Sequence, residues 1–154
     1  MRVEKYGWSP VALAPVVMAM SSRFAVATHI LTVLAVRGEE PSSSDLIASS
    51  VGTNPVVIRR LLGMLGRAGL VRAQSGRGGG ALLAVHPESI TLYDVYHAVE
   101  GRDLISIHPS VETPCPVGQK IHGVLEICTA EAEEAMNRYL RGVTLAEIAS
   151  RVKS

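Results

Sequence analysis

The stretch GTNPVVIRRLLGMLGRAGL, residues 52–70, constrains the fold of this chain more than any other. Asn54 is a favourable N-cap and Pro55 a favourable first helical residue. The apolar residues that follow recur at i, i+3, i+4 and i+7, which predicts one buried helix face: Ile58, Leu61, Leu62 and Leu65. The opposite face carries Arg59, Arg60 and Arg67. We therefore predict a helix that ends at Gly69, apolar on one side and basic on the other.

Two further helices are predicted before this one. The first is capped by Ser21 or Ser22, runs to about Arg37 and stops at Gly38. The second is short and follows Pro41, and Gly52 ends it. We expect its inward residues to be Leu46, Ile47 and Val51. A short helix, a tight turn and a second helix with an arginine face are typical of a helix-turn-helix.

The segment RAQSGRGGGALLA places four glycines around Arg77. A phosphate-binding P-loop would end in Gly-Lys-Ser/Thr, which is absent from this segment. Gly76, Gly78 and Ala81 loosely fit a dinucleotide fingerprint, but that motif needs a helix next, and ALLAVHP is typical of a strand. A plain glycine linker is a third interpretation. We favour a hairpin with Arg77 at its tip, which makes the whole unit a winged helix.

Charge is divided unevenly along the chain. Residues 1–80 hold nine Lys/Arg and four Asp/Glu, a net of +5, whereas residues 81–154 hold six and ten, a net of −4. Residues 53–80 contain five arginines and no acid. This asymmetry indicates that one end faces a polyanion, although a solvated basic face would give the same pattern.

Composition restricts the class of protein. A chain of 154 residues that is 47% hydrophobic suits one domain with a buried core. Two cysteines are too few for a disulfide scaffold and fit a reducing cytoplasm. The apolar run WSPVALAPVVMAM is shorter than the ~18 residues that span a membrane. We treat residues 1–19 as an extension outside the main fold, with Met18 or Met20 as alternative starts.

The C-terminal part is predicted to be helical. Thr91 and Asp94 form a capping box for one helix, and Thr144 and Glu147 form another for the last helix. Between them, after a loop over residues 102–114, Pro116 starts a helix to about Arg141 that would be about 37 Å long. The predicted apolar line of this helix consists of Val117, Ile121, Val124, Leu125, Cys128, Ala132, Ala135, Met136 and Tyr139. We expect a second chain to cover the excess of this apolar line, and packing on the same domain is the alternative.

These motifs, in this order, resemble the Rrf-type (Rrf-two) family of bacterial winged-helix regulators, which includes the iron–sulfur cluster regulator, the nitric-oxide-sensing repressor and the cysteine-metabolism repressor. The resemblance covers residues 21–152 through SSRFAVATHILTVLA, RLLGMLGRAGLVRAQSGRGGGALLA, ITLYDVYHAVEG, CPVGQKIHGVLE and VTLAEI. It implies a homodimer, joined through the long helix, that binds a roughly palindromic operator in double-stranded DNA.

The resemblance also implies which residues contact DNA. Base and backbone contacts would come from the start of the recognition helix: Thr53, Asn54, Val56, Val57, Arg59 and Arg60. The wing would contribute Arg77, Gly78 and Gly79, and Ser22 and Arg23 would contact phosphate.

The chain departs from cluster-binding members of that family at its cysteines. Those members carry three cysteines before and at the start of the long helix, and here only Cys115 matches. We therefore expect no iron–sulfur cluster. A metal site from His108, Cys115, His122 and Cys128 is also disfavoured, because His122 and Cys128 lie six residues apart on one helix, about 600° of rotation. Cys115 lies at a helix N-terminus, which favours the thiolate, so we predict a redox-sensing role, the alternative being an unreactive thiol. Cys128 is predicted to be a core thiol.

The sequence thus predicts a mainly α-helical fold with a small β-hairpin wing. Residues 20–100 would form a winged helix-turn-helix domain and residues 101–154 a sensor loop with the dimerisation helices. The predicted function is a cytoplasmic, homodimeric transcriptional regulator, most simply a repressor, with no catalytic constellation. There are two alternatives. One is a regulator that responds to a small molecule without thiol sensing, and the other is a winged helix that serves only for protein interaction.

Overall fold

The computed structural model describes residues 22–100, 105–110 and 112–154. The predicted extension over residues 1–19 lies outside the described residues. Within these ranges six helices and two strands follow in the order α1 Arg23–Arg37, α2 Ser44–Val51, α3 Pro55–Arg67, β1 Val71–Gln74, β2 Gly80–Leu83, α4 Leu92–Val99, α5 Pro116–Arg141 and α6 Leu145–Lys153. A mainly α-helical fold with a two-stranded hairpin is confirmed, and no helix in the described part is long and apolar enough to cross a membrane.

The first three helices lie where the sequence predicts, although α3 ends at Arg67, two residues before Gly69. Ser22 is the N-cap residue of α1, and α2 ends at Gly52, whose φ of 72° places it in the left-handed region that glycine adopts without strain. In α3 the predicted stripe is inward, with Ile58, Leu61 and Leu65 buried. The prediction for α2 was wrong at Leu46, which is 38% exposed, because Ile47 and Ala48 fill the inward positions of so short a helix.

The wing is an antiparallel pair in which Val71 faces Leu83 and Gln74 faces Gly80. Ser42, in the segment before α2, extends this sheet by one bridge. Its amide donates to the carbonyl of Ala81 over 3.0 Å, and the amide of Ala81 donates to its carbonyl over 2.9 Å. The hairpin is therefore attached to the helix-turn-helix by backbone hydrogen bonds.

One core joins both halves of the sequence. Residues of α1, α3, the wing and α4 share a single buried cluster with Leu145 of α6. The last helix returns to pack on α1, and the amide of Leu145 donates to the carbonyl of Ile90 over 2.8 Å. Both predicted capping boxes are present, at Thr91 and at Thr144. The proposed division near residue 100 remains a prediction, and α6 adds to the core of the first part.

Helix α5 differs from the other helices because it buries so little. Of its residues only Leu140 is buried, whereas Val117, Val124 and Tyr139 of the predicted apolar line are 68%, 53% and 71% exposed. Cys128 is also exposed, so the prediction of a core thiol was wrong for the single chain. The apolar side of α5 finds no cover within the described part of its own chain.

Candidate nucleic-acid interface

The first turns of α3 present a mixed apolar and cationic surface. Val56 and Val57 are 63% and 42% exposed, whereas the next residue, Ile58, is fully buried. Arg59 and Arg60 are exposed. The buried stripe fixes the rotation of the helix, so these four predicted contact residues all point out of the core.

Asn54 acts first as a helix cap. Its side-chain oxygen Oδ1 accepts a hydrogen bond from the amide of Val56 over 2.8 Å. The cap occupies the oxygen and leaves the side-chain amide group exposed at the start of the helix. Thr53, the preceding predicted contact, is half-buried. The same residues that start α3 therefore also form its outermost polar end.

The tip of the wing depends on its glycines. Gly76 and Gly78 have φ angles of 99° and 78°, in the region that disfavours side chains. At Gly79 an added Cβ would clash with the carbonyl oxygen of Gln74, so the backbone leaves no space for a side chain there. Arg77 is held exposed between these glycines. The geometry supports the hairpin interpretation and gives Arg77 a narrow backbone support.

The arginines of this surface have almost no carboxylate partners among the described residues. In the part of the chain that the structure describes, Arg60, Arg67, Arg72 and Arg77 form no ion pair, and all are exposed. Arg59 is the exception, at 3.9 Å from a carboxylate oxygen of Asp45 on α2, with both side chains largely exposed. Such a pair contributes little to stability. Asp45 has no sequence signal that points to this surface, since only the packing of α2 on α3 brings it near Arg59.

The two predicted phosphate contacts at the start of α1, Ser22 and Arg23, differ in their hydrogen bonding. Ser22 is exposed and its side chain makes no capping hydrogen bond, so its hydroxyl is available. Arg23 is also exposed, but its guanidinium donates to the carbonyl oxygen of Val99 over 3.4 Å. Arg23 is thus held against the end of α4.

Cys115 occupies the N-cap position of α5 and is exposed. The backbone amides of Gly118 and Val117 face its sulfur and lower the pKa of the thiol below its usual value. Thr113 supports this turn, because its Oγ1 accepts from the amide of Cys115 over 3.2 Å. A solvent-accessible thiol with a lowered pKa is the environment of reactive cysteines.

The residues present do not fit an iron–sulfur cluster. Such clusters need several thiolates or imidazoles within a few ångströms of one another. The chain has two cysteines, and thirteen residues of α5 place Cys128 about 20 Å along the axis from Cys115. Among the described residues no three His, Cys, Asp or Glu side chains meet in a metal-binding group. That the protein carries no cluster remains a prediction.

His108 and His122, two of the disfavoured metal ligands, connect the loop before α5 to that helix. His122 on α5 uses Nδ1 to donate to the carbonyl oxygen of His108 over 3.0 Å, and its Nε2 lies 3.2 Å from a carboxylate oxygen of Glu126. The side chain therefore anchors the loop before α5 to the first third of that helix.

Comparison with known proteins agrees with this geometry. Residues 20–151 match the profile of the Rrf2 family, described as an iron-dependent transcriptional regulator. YwnA of Bacillus subtilis, which carries the name of an HTH-type transcriptional regulator, is 37% identical over 84% of this chain and 96% of its own. The structure of CymR, the global cysteine regulator of B. subtilis, is 26% identical with a TM-score of 0.63, covering 86% of this chain and 96% of that one. The oxidized form of Staphylococcus aureus CymR is likewise 26% identical, with a TM-score of 0.65 and the same coverage of 86% and 96%. This protein belongs to the Rrf2 family of winged-helix transcriptional regulators.

Proposed function

We propose that the protein is a homodimeric repressor that reads a roughly palindromic operator, with α3 in the major groove and the wing on the adjacent minor groove. The observation that carries this proposal is the surface over residues 53–80, which holds five arginines and no acid and keeps all five exposed. Several unpaired guanidinium groups beside exposed valines suit a duplex, because phosphates take the cations and thymine methyls take the apolar contacts.

The proposed contact residues fall into those that bind phosphate or the minor groove and those that contact base edges. Arg60 and Arg77 supply charge to phosphates or to a narrow minor groove, where the negative potential is highest. Val56, Val57 and the free amide group of Asn54 face base edges. Gly78 and Gly79 let the backbone approach the duplex closely, Thr53 and Ser22 offer hydroxyls, and Arg23 lies beside them.

Dimerisation through α5 is the second part of the proposal. The exposed line that includes Val117, Val124 and Tyr139 is too apolar to be left in water along a helix of 26 residues. Two such helices side by side would cover each other and would place two recognition helices on successive half-sites. We assign no catalytic activity, and a DNA partner supports a cytoplasmic location.

The response is proposed to begin at Cys115. Its thiolate would attack one oxygen of hydrogen peroxide, breaking the O–O bond, so that the sulfur is oxidised to sulfenic acid and hydroxide leaves. The exposed position and lowered pKa of the thiol support this, as does the similarity to a CymR structure solved in an oxidized form. A small-molecule effector in place of the thiol is the alternative, and it would leave the peroxide response absent.

The experiment is selection of bound duplexes from a random library, followed by footprinting and fluorescence anisotropy. We expect a two-fold symmetric site and a loss of about ten-fold in affinity for Arg60→Ala or Arg77→Ala. Arg151→Ala, at an exposed position on α6, is the matched control and should bind normally. Selection of no duplex, or equal losses in all three variants, would contradict the proposal.

A second measurement addresses the thiol. Peroxide should weaken operator binding by the wild-type protein and by Cys128→Ser, but not by Cys115→Ser, which should keep its basal affinity. A response that persists in Cys115→Ser would exclude the thiol as the sensor.

A further inference from the structure

A cavity of about 380 Å³ separates the recognition helix from the wing. Its apolar walls come from α3 and from both strands of the hairpin, and they include Leu62, Gly66 and Ala81. Polar residues line it as well: Ser42, Ser44, Arg72 and Gln74. The volume is at the lower end of the range of small-molecule sites. The cavity lies between the two elements that the proposed function assigns to DNA.

The two glycines of α3 have no explanation in the packing of the chain alone. Both lie inside a helix with ordinary φ angles, where glycine is among the least favourable residues. A Cβ added at Gly63 or Gly66 would meet its nearest neighbour only at 3.7 Å, an ordinary contact. Neither the backbone conformation nor steric crowding therefore requires glycine at these positions. Both residues line the cavity, and a side chain at either would narrow it.

Ser42 gives the cavity its buried polar group, since the other polar residues that line it are more exposed. The residue lines the cavity and is 0% exposed, and its hydroxyl Oγ has no hydrogen-bond partner among the described residues. A buried hydroxyl without a partner is unfavourable, so a ligand that offered a hydrogen bond would gain from it. This unpaired group is independent of the glycines and indicates what a ligand would carry.

The backbone of Ser42 also joins the wing to the helix-turn-helix. Besides its two hydrogen bonds to Ala81, its carbonyl oxygen lies where a Cβ of Gly80 would approach to 2.5 Å. The hydroxyl is closed to water, so a ligand reaches it only if the wing moves slightly away from α3. Occupation of the cavity is thus tied to the spacing of the two DNA-contacting elements.

We propose that this cavity is an effector site for a small uncharged aromatic alcohol of the phenol type, which bonds Ser42 and moves the wing relative to α3. The flat walls of glycine, alanine and leucine suit a ring. At the buried Ser42 one neutral hydroxyl cannot offset the desolvation of a carboxylate, so the group that reaches it is neutral, whereas Arg72, which also lines the cavity, is exposed and keeps its charge in water. That binding lowers operator affinity rests on the proposed function, whereas the site itself does not.

The test titrates the isotope-labelled full chain, without DNA, with three probes that differ only in one substituent: p-cresol, toluene and 4-methylbenzoate. We expect p-cresol to shift the amide resonances of Ser42, Gly66 and Ala73 and to bind about five-fold more tightly than toluene, with 4-methylbenzoate weakest. Ser42→Ala should abolish the preference of p-cresol over toluene. Ser49→Ala, an exposed serine on α2, should preserve it.

A filling variant tests the space independently of the hydroxyl. Gly66→Leu should reduce the affinity of all three probes by at least about ten-fold while keeping the helical spectrum of the chain. Equal affinities for p-cresol and toluene in the wild type, an unchanged preference in Ser42→Ala, or shifts that cluster away from the cavity would each overturn the proposal.

Coupling to DNA is measured separately by anisotropy with the selected operator. Saturating p-cresol should lower operator affinity about five-fold, and operator should lower p-cresol affinity by the same factor, as linkage requires. An unchanged operator affinity would overturn the regulatory part. Absence of operator binding under every condition, with the cresol pattern intact, would contradict the proposed function and leave the binding site standing.

Discussion

Helices α3 and α5 begin alike and end up with opposite surfaces. Each starts with proline after an extended N-cap residue, and each carries an apolar stripe. α3 buries its stripe on its own chain, with Ile58 and Leu65 at 0% exposure, and the surface that remains outside carries arginines beside two valines. α5 buries almost nothing, so one of its sides exposes an apolar line, with Val124 at 53% exposure. The part of a helix that its own fold leaves uncovered indicates the chemistry of its partner: a polyanion for α3 and a second apolar surface for α5.

The largest expected effect separates the two sides of α3. Leu65→Ala should lower the free energy of unfolding by about 2–5 kcal/mol, because it leaves a cavity in the core. Val56→Ala, on the exposed side, should change it by less than about 0.5 kcal/mol. Chemical denaturation of both variants measures the difference, and similar losses in the two would break the distinction between the faces.

The next effect concerns the uncovered side of α5. Val124→Asp should weaken dimerisation by at least about 100-fold, because it would bury an uncompensated charge between the two helices. Ala130→Glu lies on the opposite side of α5 and is the control, which should dimerise normally. Sedimentation equilibrium measures both. A monomeric wild type, or a dimer that tolerates Val124→Asp, would remove α5 as the interface.

A smaller effect sharpens the comparison at the helix starts. Asn54→Ala should cost about 1 kcal/mol of stability, since Oδ1 would no longer accept from the amide of Val56. Cys115→Ala at the equivalent position of α5 should cost less, because sulfur is a weaker acceptor for the amides that face it than the Oδ1 of Asn54 is for the amide of Val56. Thermal unfolding of the two variants gives the ranking, and a larger loss at Cys115 would reverse it.

The smallest effect is a shift in the pH profile of one thiol. The amides of Gly118 and Val117 lower the pKa of Cys115, so its thiolate persists to lower pH than that of a free thiol. In Cys128→Ser protein, alkylation by iodoacetamide should reach half its maximal rate at a lower pH than for N-acetylcysteine. An equal or higher midpoint would contradict the lowered pKa.

The fold was predictable where local signals agree with one another. The N-cap Asn54, the four-residue stripe and Gly69 fix α3, and the glycines around Arg77 fix the wing. The exposure of Leu46 was not predictable, because in a helix of eight residues the packing of neighbouring elements decides which side chains are buried. The exposure of Cys128 was not predictable either. An apolar stripe on a helix indicates that the stripe will be buried, but it does not indicate whether the same chain or a second chain buries it.

The candidate site was predictable only as a set of residue types. The run of arginines over residues 53–80 is visible in the sequence, and the structure adds that all are exposed. The proximity of Asp45 to Arg59 and the closed hydroxyl of Ser42 depend on how α2, α3 and the wing pack together. Such contacts have no local sequence signal, because they join residues whose separation along the chain is arbitrary.

The dependence of operator affinity on salt tests the central claim most directly, because each phosphate contact releases counterions. We predict that the logarithm of the association constant falls linearly with the logarithm of salt concentration for the wild type. For Arg60→Ala in a dimer the slope should be shallower by about 2, one contact per protomer, and for Arg151→Ala it should be unchanged. A wild-type affinity that is insensitive to salt, or a slope that Arg60→Ala leaves intact, would contradict a duplex as the partner of α3.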